Sequence, residues 1–166
     1  MAVYTEVTDD DLSAFLARYD VGTLVAYKGI AEGVENTNYL VQTTQARFIL
    51  TLYEARVAPE DLPFFLGLME HVAKRGVSCP RPVHATDGSV LSKLAGRTAA
   101  FVTFLDGFSI KKPRADHCHK LGRALAEFHL AAADFPRTRA NALGEAGWHP
   151  LFDKFRSRSD EIVPGL

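Results

Sequence analysis

Apolar residues along this chain follow two different periods. Thr8 stands three residues ahead of Asp11 and before Leu12, Phe15, Leu16 and Tyr19, which predicts a capped, short amphipathic helix. The period then drops to two. "GTLVAYKGI" reads as a strand, with Asn38 to Gln42 and Arg47 to Tyr53 as two more, the last placing Phe48, Leu50 and Leu52 on one face. The polar turn "TTQA" between the latter two predicts an antiparallel hairpin. Helical spacing returns at Leu62, Phe65, Leu66, Met69 and Val72, behind a first turn of Pro59, Glu60 and Asp61, and Gly76 closes that helix. Two or three short strands follow, with turns at Asp87-Gly88 and Ala95-Gly96, the last strand being "AAFVTFL". From Asp116, residues Leu121, Leu125, Phe128 and Ala132 predict a long amphipathic helix.

Helix, three strands, helix, more strands and then helices only is not the alternation that forces a parallel sheet. The pattern predicts an α+β fold: an antiparallel sheet carrying one long helix, joined through Asp106-Gly107 to a helical second part. The closing "FDKFRSRSDEIVPGL" begins a helix with few residues left to cover it, so the C-terminal half reads as incomplete.

With 166 residues, 47% of them hydrophobic, the chain can bury a real core. Nineteen basic residues against twenty acidic ones leave no global field to draw it to nucleic acid or an anionic membrane. Any phosphate chemistry must therefore rest on local groups. Two distant cysteines, an acidic N-terminus and no charge-free apolar run of membrane-spanning length point to a soluble cytosolic protein.

The stretch "AEGVENTNYLV" carries the candidate chemistry. Gly33 permits backbone angles closed to other residues, so the loop can turn several N–H groups toward an anion, and Asn36 and Asn38 add amide donors. In isolation, a plain connection whose Asn side chains satisfy local turns explains the loop more simply. It matches neither the dinucleotide fingerprint nor the Walker A spacing.

In their order, "ENTNYLV", "LTLYE", "LGLMEHVAKRGV", "PRPV", "AAFVTFLDG", "LGRALAEFHLAA" and "RANALG" resemble the aminoglycoside phosphotransferase and choline kinase superfamily, and within it the homoserine kinase branch. The resemblance runs over essentially the whole chain. It implies a protein-kinase-like fold, with residues 1–105 as the nucleotide-binding N-lobe and 106–166 as the inter-lobe link and the start of a helical substrate lobe. ATP with Mg²⁺ would lie between the lobes. The Gly33–Asn38 loop, including Glu35 and Asn36, would cover the phosphates, and the Thr103 carbonyl and Leu105 amide would meet the adenine edge. Where the superfamily usually has a third-strand Lys or Arg, this chain has Thr51. Lys28, Arg47 and Arg56 are candidates for the missing charge, and Glu60 and Glu70 for the helix carboxylate.

The same likeness implies a small-molecule substrate, homoserine, phosphorylated on its side-chain hydroxyl. Arg139 and Asn141 in "RTRANALG" are candidate contacts for its charged groups, with ordinary turn chemistry as the open alternative, and Trp148 and Phe152 are candidates to pack beneath that loop. The His-Gly-Asp-x-x-x-x-Asn catalytic segment and the later metal-binding Asp are not among these residues. The catalytic groups are expected beyond Leu166, and this stretch alone is expected to be inactive. Another small-molecule hydroxyl kinase, or a noncatalytic nucleotide-binding module, remains open. His117-Cys118-His119 lacks the ligand number and spacing of a metal site.

Overall fold

The computed structural model describes residues 3–54, 57–141, 144–161 and 163. It divides into two compact units, Met1–Pro136 and Arg137–Leu166. Arg56 lies outside the described residues.

The first unit opens with α1, Asp9–Leu16. Thr8 accepts from the Asp11 amide at 3.1 Å while Asp11 answers to the Thr8 amide, a reciprocal cap, and three acids in the first turn suit the helix dipole. Five strands follow: β1 (Leu24–Ile30), β2 (Thr37–Thr43), β3 (Arg47–Tyr53), β4 (Leu91–Leu94) and β5 (Arg97–Thr103). They form one antiparallel sheet in the order β1-β2-β3-β5-β4. β5 starts two residues before the predicted "AAFVTFL" and ends at Thr103, because the Ala95-Gly96 turn delivers the chain directly into pairing with β4. The region before β4 contributes only a bridge, Pro82 to Val102.

Alternation along β2 and β3 puts Tyr39, Val41, Phe48, Leu50 and Leu52 on the face that meets Leu12, Phe15 and Leu16 of α1. Phe101 of β5 is fully buried at the centre, its ring 4.6 Å from Phe48, 5.4 Å from Tyr19 and 5.8 Å from Phe15. The Tyr19 and Ser92 hydroxyls there are hydrogen-bonded to each other at 2.9 Å, so neither is buried unsatisfied.

A 3-10 turn at Pro59–Asp61 leads into α2, Leu62–Lys74. Gly76 adopts φ +88°; its amide reaches Ala73 and the Val77 amide reaches Val72, the paired bonds that satisfy the last carbonyls of a helix. Leu62, Leu66 and Val72 are buried, whereas Phe65 and Met69 of the predicted stripe are half-buried. The helix α3, Ala115–Ala132, forms as predicted, yet Leu121 and Leu125 are 71% and 52% exposed. Asp134, just after it, bonds His71 of α2 at 2.9 Å and Arg75, the residue that follows α2, at 2.5 Å; these two partners hold its carboxyl below the usual carboxylate range. No helix among the described residues is long and apolar enough to cross a membrane.

The second unit holds α4, Glu145–Phe155, and a 3-10 turn, Arg156–Glu161. Trp148 and Phe152 are 61% and 54% exposed, and Phe152 lies under the Arg156 guanidinium at 5.3 Å.

Candidate active site

The sheet face away from α1 is built by register. Lys28 pairs with Leu40, Leu40 with Ile49 and Ile49 with Val102, so these four side chains form one row across β1, β2, β3 and β5. The neighbouring row is Ile30, Asn38, Thr51 and Ala100. Over the β1–β3 end of the first row opens a cavity of about 390 Å³, lined by Lys28, Ile30, Leu40, Ile49 and Phe104 with Gly29, Ala31 and Glu32, whereas Ala100 and Val102 of β5 are buried. Its volume and its mostly apolar floor suit a planar ring system with a polar appendage at one end.

The loop between β1 and β2 borders that cavity. Gly33 takes φ +103°, a conformation that side chains oppose, and nothing lies within 4 Å of where its Cβ would be. Glu35 is exposed and Asn36 half-buried, its side-chain oxygen accepting the Glu54 amide at 3.4 Å.

Thr51 donates to the Asn38 side-chain oxygen at 2.8 Å. With its acceptor so engaged, Asn38 keeps two N–H donors uncommitted among the described residues, a polarity that favours an anion. Lys28 has no carboxylate partner among the described residues. Arg47 has another duty: it pairs with Asp106 at 2.5 Å and lies 4.7 Å over the Phe104 ring, fixing the chain where it leaves β5. The helix carboxylates are also placed differently from a partner of Thr51. Glu60 is exposed, and Glu70 bonds His84, raising that imidazole's pKa with help from the Gly88 carbonyl.

At the end of β5 the Thr103 amide donates to the Arg81 carbonyl at 2.9 Å, but the returning bond, from the Arg81 amide, goes to the Thr103 hydroxyl at 2.9 Å. The hydroxyl thus takes the position that the carbonyl fills in an ordinary ladder. Two residues on, the Leu105 amide has no partner among the described residues. A carbonyl and an amide near the cavity wall formed by Phe104 are the acceptor and donor that a heterocycle edge requires.

Sequence reasoning missed a cluster at the loop's other root. Thr37, fully buried, donates to the Glu54 carboxylate at 2.8 Å; Thr5 donates to the same oxygen at 2.7 Å, and Arg97 reaches the other oxygen at 2.8 Å. The available signal was a Thr in register with Tyr39 and Val41 on the covered face, which needs a polar partner.

Arg139 and Asn141 are exposed residues of the second unit, ahead of α4. His117 accepts the Arg114 amide at 3.1 Å, and among the described residues no group of three His, Cys, Asp or Glu side chains could hold a metal ion.

Comparison with known proteins bears on the family and the fold. Across all its 166 residues the chain is 60% identical to the homoserine kinase of Xanthobacter autotrophicus, 61% to that of Azorhizobium caulinodans and 60% to that of Paramagnetospirillum magneticum. It spans about half the length of these relatives: 52%, 52% and 51%. Among solved structures, a spectinomycin phosphotransferase in complex with ADP and spectinomycin superposes with a TM-score of 0.68 at 12% identity, over 92% of this chain and 47% of that one. A microcompartment-associated aminopropanol kinase gives 0.56 at 23% identity, over 85% and 47%. These two share the α+β, kinase-like fold. Residues 26–162 match the phosphotransferase enzyme family, and the chain belongs to it.

Proposed function

We propose that these residues are the nucleotide-binding part of an ATP-dependent homoserine kinase, which transfers the γ-phosphoryl group to the side-chain hydroxyl of L-homoserine in threonine biosynthesis. The carrying observation is the identity of about 60% to homoserine kinases, sustained over every residue of the chain. The ADP named for the spectinomycin phosphotransferase supports the nucleotide.

In this reading residues 1–105 form the nucleotide lobe and 106–166 begin the substrate lobe. Ile30, Leu40, Ile49 and Phe104 form one wall of the adenine site, and the adenine edge meets the Thr103 carbonyl and Leu105 amide. The loop from Gly33 through Glu35 and Asn36 to Asn38 closes over the phosphates. Asn38, oriented by Thr51, offers neutral donors in place of a lysine, and Lys28 supplies a nearby positive charge. Mg²⁺, when bound with the nucleotide, neutralises phosphate charge; its protein ligands are sought outside the described residues. Arg139 and Asn141 are candidate contacts for the amino acid's carboxylate and ammonium. The partner is a small molecule rather than nucleic acid or membrane, and the expected compartment is the cytoplasm.

The test is ADP release by the complete reading frame that contains these residues, with ATP and homoserine, choline, an aminoglycoside or a methylthio sugar. Turnover is expected with homoserine above the other alcohols. Turnover of another alcohol without homoserine would move the protein elsewhere in its family. ATP binding without transfer to any of them would make it a noncatalytic nucleotide-binding module.

A further inference from the structure

The cluster around Glu54 lies at the end of the sheet from which the β1–β2 loop departs, and its carboxylate accepts hydrogen bonds from two threonine hydroxyls. The Thr37 hydroxyl accepts the backbone amides of Tyr4 at 2.9 Å and Thr5 at 3.1 Å and gives its proton to Glu54, which exhausts its two acceptor sites and one donor. The Thr5 hydroxyl donates to Glu54 and accepts from Arg97 at 3.3 Å. Glu54 is only 10% exposed, so its charge depends on these partners.

Two further bonds carry this anchorage into the loop itself. The Glu54 amide donates to Asn36, and the Tyr4 hydroxyl donates to the Val34 carbonyl at 3.3 Å, next to the one loop residue with positive φ. The loop is therefore held at its tip by Tyr4 and at its root by Glu54, both anchors lying on the β2 side of Gly33. An N-terminal segment used only to fill the core would need none of these bonds.

We propose that Glu54 is a positioning residue for the nucleotide phosphates: through Thr37 and Asn36 it fixes the height of the Gly33–Asn38 loop above the cleft, with Tyr4 and Thr5 as a strap across it. The assignment to phosphates rests on the kinase reading above; the strap does not.

The experiment compares Glu54→Gln, Thr37→Val and Thr37→Ser in the complete reading frame, reading amide hydrogen exchange in residues 31–37 without ligand and steady-state kinetics for both substrates. Expected are quickened exchange and an ATP KM raised about tenfold in the first two, with the homoserine KM held within about twofold, and wild-type behaviour in Thr37→Ser. Unchanged exchange overturns the strap. Quickened exchange with an unchanged ATP KM, or equal losses for both substrates, overturns the positioning role. If the unmutated protein uses no ATP, the kinase reading fails and takes the assignment to phosphates with it; quickened exchange in the variants then places the failure in that reading and leaves the strap standing.

Discussion

The two faces of the sheet carry similar side chains and have opposite fates. Tyr39, Val41, Leu50, Leu52 and Phe101 are closed in by α1 and the N-terminal segment, while Ile30, Leu40, Ile49 and Phe104 border an open cavity. Both sets are apolar. The difference is therefore one of covering: one face has found its partner within the chain, and the other keeps an apolar recess of ligand size. Hydrophobicity alone does not separate a core from a site.

The sharpest way to break that comparison is to cut into each face. Phe101→Ala leaves a void among Phe15, Tyr19 and Phe48 and should cost about 3–5 kcal/mol in urea unfolding. Ile49→Ala, on a half-buried position of the open face, should cost less, about 1–2 kcal/mol, while weakening ATP binding more than Phe101→Ala does at temperatures where both are folded. Equal effects on binding would erase the distinction. Gly33→Ala should cost about 1 kcal/mol, from its positive φ and not from crowding, and should show as a raised ATP KM with a melting temperature lowered by about 2–4 °C.

The smallest effect is expected away from both faces. Because Glu70 raises the His84 pKa, the charged pair's stabilisation is complete below the ordinary imidazole value near 6.5 and is lost as pH rises through the raised folded value. The side chain is half exposed, so about 0.2–1 kcal/mol is at stake, and a His84→Gln variant should lack this alkaline slope in its melting curve.

How far the sequence could be read follows the same division. Alternation at Phe48, Leu50 and Leu52, the Thr8 cap and the Gly76 stop are local signals, and each appears where it was expected, because a residue's own torsions and near neighbours set them. The loop at Gly33 was legible for the same reason. The pairing of Lys28, Leu40 and Ile49 into a cavity floor was not, since register across three strands depends on partners that periodicity does not name. Arg47 and Glu70 were candidates by charge alone; Asp106 and His84, distant in sequence, claim them. Thr37 and Glu54 escaped notice because a buried polar cluster is defined by contacts among four segments.

The strand order also bears on how the protein folds. β1-β2 and β2-β3 join neighbours in sequence, as does β4-β5, but the seam between β3 and β5, where Tyr53 meets Thr98, closes only after α2 and its flanking loops have been traversed. Loop closure of that span is the slow event in a chain whose other pairings are local. Substitutions along this seam, at Ala99 or Leu52, and changes in the Thr44-Gln45 hairpin turn that pairs before it, should both retard refolding in stopped-flow measurements and leave the unfolding rate little changed.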